Sequence, residues 1–163
     1  MSGHESMISP EALMQEAIDV CREGLRLGQS PFGCAIAVGG RVISRRHNTV
    51  LLTTDITAHA EVNAIRTANL ELQNIFLEGA VVATTCEPCP MCMAALHWAR
   101  VAKVYYGAAI SDADAAGFNE LQLPAEELLR QGRSNLQLIG GMLTEECKEL
   151  FAEWNASPRR RAY

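Results

Sequence analysis

The segments His59-Ala60-Glu61 and Pro88-Cys89-Pro90-Met91-Cys92 decide how this chain must fold. They offer one imidazole, two thiols and one spare carboxylate. Three N/S ligands with an open fourth position describe a catalytic zinc site, because a structural zinc closes all four positions with protein atoms. Cys89 and Cys92 stand three apart on a predicted helix, so they share a face. Pro88 and Pro90 set them in its first turn, where free N–H groups and the helix dipole favour thiolate. His59 falls just before or within the first turn of a second predicted helix. Two helix starts at one end of a parallel strand pair converge there, the place where open α/β sheets put their sites. The pattern predicts one Zn2+ per chain, held by His59, Cys89 and Cys92, with water in the fourth position and its pKa drawn towards ~7. Glu61, two residues after the histidine, is the expected proton carrier: it takes a proton from that water and returns it to substrate and leaving group.

Competing readings of the same residues are weaker. Cys89 and Cys92 alone read as a redox pair, but the His59-Ala60-Glu61 segment is then coincidence. Cys86, Cys89 and Cys92 have iron–sulfur spacing, yet no further cysteine followed by proline stands near Leu96. A closed structural zinc with Cys86 as fourth ligand, in a non-enzymatic binding module, leaves Glu61 without a role. Glu61 by itself is an ordinary helix-start carboxylate. Cys86 reads as a packing residue at a strand end, and Cys21, Cys34 and Cys147 as core thiols.

The chain has 163 residues, 48% hydrophobic, enough for one domain with a single core. No run is apolar and long enough to span a bilayer. Met1 to Ser6 lacks the basic and apolar regions of a signal peptide, so a reducing cytoplasm is expected, with the six cysteines read as ligands or core thiols. A net charge of -5 argues against a large nucleic-acid surface. Arg159, Arg160 and Arg161 form a basic stretch that could hold phosphate, although a solubilising tail is the simpler reading.

Along the chain, Ser9-Pro10 predicts a helix start, with Met14, Ala17, Ile18, Cys21 and Leu25 on one face and Gly28 as its stop. Cys34–Val38 and Arg41–Arg45 flank Gly39-Gly40 as a hairpin. Helices are predicted from Ala58 to Ala68, Cys89 to Ala99, 124 to 131 and Glu145 to Trp154. Strands are predicted from Ala80 to Thr84, Ala102 to Tyr106 and Leu136 to Ile139. The order α-β-β-α-β-α-β-α-β-α implies an α/β fold, a three-layer α/β/α sandwich on a five-stranded mixed sheet.

Pro31-Phe32-Gly33, Asn48-Thr49-Val50, Asp55-Ile56-Thr57-Ala58-His59-Ala60-Glu61-Val62, Thr85-Cys86-Glu87-Pro88-Cys89-Pro90-Met91-Cys92 and Ala116-Gly117-Phe118-Asn119-Glu120 resemble the cytidine deaminase-like superfamily and, within it, the guanine and guanosine deaminase branch. The resemblance runs from about Met14 to Trp154. It implies zinc-dependent hydrolysis of guanine to xanthine and ammonia. It further implies that Asn48 bonds the substrate ring, that the Ala60 N–H meets its carbonyl, and that Phe32 and Trp98 pack on the base faces. Glu120 then faces the purine edge and Tyr163 closes the pocket. A homodimer is implied, with the segment from about 144 to 163 packing on, or exchanged with, a partner subunit. Read without the resemblance, Asn48 is a turn residue and Phe32, Trp98 and Phe118 are core. Typical members carry Gly-Phe-Asp-Asp where this chain has Gly-Phe-Asn-Glu, and often proline where it has Ile56. Residues 124–143 resemble tRNA adenosine deaminases and fungal cytosine deaminases equally well. Guanosine, cytosine, an amino-triazine and a tRNA adenosine therefore stand as alternative substrates.

Overall fold

The computed structural model describes residues 7–163; the reading of Met1 to Ser6 lies outside them. Ser9 caps α1 (Pro10–Arg26) by accepting the Ala12 N–H at 3.1 Å, with Pro10 in the first turn. Leu13, Met14, Ala17, Ile18 and Cys21 form its buried face. The helix stops at Gly28, whose φ of +77° suits glycine. Strands β1 (Gly33–Val38) and β2 (Arg41–His47) are joined by Gly39-Gly40 with φ of 58° and 82°, the left-handed pair that a two-residue hairpin turn requires.

Next come α2 (Val50–Thr53), α3 (Ala60–Leu72), β3 (Val81–Cys86), α4 (Pro90–Trp98), β4 (Lys103–Ala108), α5 (Ile110–Ala115), α6 (Ala125–Gln131), β5 (Gln137–Ile139) and α7 (Thr144–Asn155). The five strands lie in the order β2-β1-β3-β4-β5. β1 is antiparallel to both neighbours, whereas β3, β4 and β5 run parallel. Alternation along the strands feeds two cores. Ala35, Ala37 and Ala83 face α1 and α7, while Ile36 and Val82 face α3 and α4. The result is the expected three-layer α/β/α sandwich on a mixed five-stranded sheet. The short helices α2 and α5 are additions to the sequence reading.

Helix α7 packs on α1 and β4 of its own chain, and Leu150, Phe151 and Trp154 are buried there, so these side chains complete this chain's own core. No helix among the described residues is long and apolar enough to cross a membrane.

Helix α1 lies flush on β1. A Cβ on Gly33 would sit 2.1 Å from the Ala17 carbonyl oxygen and 2.8 Å from the Cys21 Cβ. Backbone cannot yield there, so Gly33→Ala should cost at least about 1–3 kcal/mol, read as a lower midpoint in denaturant unfolding.

Candidate active site

The site lies beyond the carboxyl end of β3, where α3 and α4 begin. His59 is the N-cap residue of α3 and Cys89 that of α4, and neither side chain caps its own helix. Both are instead turned towards each other. His59 Nδ1 lies 3.7 Å from Cys89 Sγ and 3.5 Å from Cys92 Sγ, and the three donor atoms fall within 4.8 Å of one another. A tetrahedral zinc, with Zn–S of about 2.3 Å and Zn–N of about 2.0–2.1 Å, requires N and S to stand about 3.6 Å apart. The donor set therefore fits the ion in element and in spacing. Cys86 is not a fourth ligand: its thiol donates to the Ala109 carbonyl at 3.4 Å. The electrostatics suit a cation. The Cys92 thiol donating to Cys89, with His59 beside it, drives Cys89 down to about 4. Cys92, bonded to Cys89 and buried, is pushed up. Burial opposes charging of His59, but Cys89 and the carboxylates of Glu61 and Glu120 outweigh it and raise its pKa.

Glu61 is buried at the first turn of α3. Its Oε1 accepts the Thr84 hydroxyl at 2.6 Å, and burial raises its pKa. Thr84 stands on β3 and is itself buried. Sequence reasoning missed it, although two threonines in an apolar strand were a signal. Glu87 was missed too. Its carboxylate accepts the N–H of Ile110 at 3.1 Å and of Ala125 at 2.9 Å, the first residues of α5 and α6. One side chain beside the ligands thus ties down both ends of the segment 110–125, which comprises α5 and the following loop that carries Phe118 and Glu120. Nothing in local spacing marks that contact.

A narrow inner cavity of about 30 Å³ is lined by Phe32, Glu61, Cys86, Phe118, Glu120 and Tyr163, beside His59 and Cys89. An outer cleft of about 280 Å³ opens past Ile56, Pro90, Met91, Asn119 and Leu121. His59, Cys89, Glu120 and Tyr163 border both. Glu120 is half-buried, and burial followed by the nearby Cys89 raises its pKa. Phe32 meets Phe118 edge-on at 5.0 Å between centroids. The Ala60 N–H belongs to the first turn of α3, where backbone donors lack helical partners. Asn48 is fully buried. Its Oδ1 accepts the Val50 N–H at 3.0 Å and its Nδ2 donates to the Tyr163 hydroxyl at 2.6 Å.

Trp98 is the exception and corrects the stacking expectation. It is 79% exposed and lines a separate apolar groove with Met93, Leu128 and Leu129.

Residues 7–108 match the cytidine and deoxycytidylate deaminase zinc-binding region. The chain belongs to this family. It is a zinc-dependent hydrolytic deaminase. Guanine deaminase of Bacillus subtilis (strain 168) is 41% identical over 124 residues, 72% of this chain and 80% of that protein. The tRNA-specific adenosine deaminase of the same organism is 32% identical over 157 residues, 95% of this chain and 94% of that protein. Among solved structures, guanine deaminase from Nitrosomonas europaea superposes with a TM-score of 0.85 at 26% identity, covering 94% of this chain and 88% of that one.

Chelation should abolish ammonia release, and added zinc should restore it. Metal analysis should find one zinc per chain in the native protein and in Cys86→Ser. Cys89→Ser and Cys92→Ser should lose the ion.

Proposed function

We propose that this deaminase converts guanine and water to xanthine and ammonia. The observation that carries the reading is Glu120, a half-buried carboxylate bordering both the inner cavity and the outer cleft beside His59 and Cys89. A carboxylate there accepts from the N–H-rich edge of guanine, which a neutral or cationic residue could not do as well. The 41% identity to a guanine deaminase supports the same choice.

A zinc held by His59, Cys89 and Cys92 would supply a water activated near neutral pH. The remaining work falls to the chain. Glu61 takes the proton of the attacking water and delivers it to N3 of the ring, next to C2. It then takes the second proton, from the hydroxyl now on C2, and hands it to the amino group as the C2–N bond breaks, so that the C2 carbonyl forms and ammonia leaves. The Thr84 hydroxyl fixes one oxygen of that carboxylate and leaves the other to exchange protons. Burial, which raises the affinity of Glu61 for a proton, suits a group that must carry one through the reaction. The Ala60 N–H meets the ring carbonyl, Asn48 bonds the ring, and Phe32 packs on the base.

The tRNA-editing reading is supported by the match to a tRNA-specific adenosine deaminase along 95% of this chain. Against it stand the net charge of -5 and the arginine stretch. Arg159 donates to the Arg26 carbonyl and Arg160 to the Asn155 carbonyl, so two of the three guanidinium groups already serve the fold.

Glu61→Gln should keep the fold and the zinc and lose about 10²–10⁴-fold in kcat, measured by ammonia release from metal-replete protein. Near-normal turnover in that variant would remove Glu61 from the mechanism.

Glu120→Ala should weaken kcat/KM for guanine by the equivalent of about 1–3 kcal/mol, because donors on the substrate lose their acceptor. Glu120→Gln should fall between, and zinc content should not change. An ammonia-release panel over guanine, guanosine, cytosine, adenine, amino-triazines and tRNA tests the substrate itself. Inert guanine beside another active substrate overturns the proposal.

A further inference from the structure

The start of α3 has no side-chain cap, and an amide one turn into the helix ties it down instead. Asn63 stands four residues after the N-cap His59, a position whose side chain commonly packs against the residue before the cap. Here it makes hydrogen bonds. Its Nδ2 donates to the Ala58 carbonyl at 3.2 Å, to the Thr49 hydroxyl at 2.9 Å and to the His47 carbonyl at 3.1 Å. The two carbonyls can only accept, so the nitrogen end of the amide faces them, and its two hydrogens serve three acceptors.

These acceptors flank the two residues on which the site depends. Ala58 directly precedes His59, the imidazole ligand. His47 and Thr49 stand on either side of Asn48. The two stretches also meet directly, because the Thr49 N–H donates to the same Ala58 carbonyl at 3.0 Å. The Asn48 N–H in turn donates to the Phe32 carbonyl at 3.1 Å, and its Oδ1 accepts the Val50 N–H at 3.0 Å. The place of this buried amide therefore follows from its backbone and its neighbours. Asn63 lines neither the inner cavity nor the outer cleft, so it acts on the site through others. We propose that Asn63 is a positioning residue that ties the Asn48 segment to the turn bearing His59, so that substrate recognition and retention of the zinc depend on one amide. The substrate half of the proposal rests on the reading of Asn48 as a substrate contact; the metal half does not.

The test compares the native enzyme with Asn63→Ala, Thr49→Val, Asn48→Ala and the Asn48→Ala/Asn63→Ala double variant. Loss of about one net hydrogen bond should raise KM for guanine about 2- to 10-fold in Asn63→Ala, with kcat per bound zinc unchanged. Zinc should pass faster to a chromophoric chelator. With no substrate present the Thr49 amide should exchange faster, while the Met93 amide of α4, bonded to the Cys89 carbonyl at 2.8 Å, keeps its protection. In the Asn48→Ala background the change at Asn63 should no longer move KM but should still speed zinc release. Thr49→Val, which removes one of the three acceptors, should shift each quantity the same way by less, and it carries the test if Asn63→Ala does not fold. Effects of Asn48→Ala and Asn63→Ala on KM that simply multiply overturn the proposal, because Asn63 then acts on the fold at large. Unchanged zinc release or unchanged Thr49 exchange in Asn63→Ala overturns it as well. If guanine proves inert, or Asn48→Ala leaves KM as it was, the substrate reading fails by itself, and the tie is judged on zinc release and Thr49 exchange alone.

Discussion

Two helix N-termini meet beyond β3, and each gives up its side-chain cap. The residues at these positions, His59 and Cys89, have the extended backbone of an N-cap but make no capping bond. Ser9 shows what they forgo, since its hydroxyl does accept from the first turn of α1. A lost cap costs about 0.5–2 kcal/mol. In exchange, both side chains are free to point outward from the helix ends into one space, where Cys92 joins them from the next position facing that way. β1 is antiparallel to both β2 and β3, so β2 and β3 end at the same edge of the sheet, and α3 and α4, which follow them in the chain, begin there. The metal site is in this sense a property of the topology, with the sidedness set by where each helix begins.

The second constraint is burial of acid. Glu61 is buried, and it accepts the hydroxyl of Thr84, carried on the strand that also leads into the ligand loop. Glu87, next to that loop, spends both oxygens on the first N–H groups of α5 and α6. Each carboxylate therefore couples the metal-bearing helix to a different neighbour. Glu61 joins α3 to the sheet. Glu87 joins the ligand loop to the segment that brings Phe118 and Glu120 over the cavity, so the residues proposed to recognise the substrate are indexed to those that hold the metal.

Much of this was legible in the sequence because it is local. Ser9-Pro10, Gly28 and Gly39-Gly40 announce their turns and caps, and each appears where read. The His59, Cys89 and Cys92 triad was legible because spacing within a helix start is also local. Helices α2 and α5 were not. Val50–Thr53 is a single turn, too short for periodicity. Ile110–Ala115 carries two aspartates in six residues and looks like a loop until Asp112 is seen accepting the Ala109 N–H at 2.8 Å. Trp98 was misplaced for a geometric reason that the sequence contained. Six residues past Cys92, it is turned about 240° around the helix axis, and nine past Cys89 it is about 13 Å along it. Long-range contacts such as Glu87 with Ala125, or Arg159 with Arg26, leave no local trace at all.

The charges at the site close the argument. Burial hinders ionisation of Glu61 and of Glu120, and the Cys89 thiolate beside them adds to it. Such a cluster destabilises a fold unless something positive sits among it. His59 is the cationic group nearest to them among the described residues, and it is also a ligand, which must be neutral to bind metal. A divalent ion at His59, Cys89 and Cys92 resolves the conflict, because it replaces a proton on the imidazole with a larger charge at the same place. Metal affinity would then be partly folding energy, and the ion that would activate the water would also offset the negative charge gathered around it.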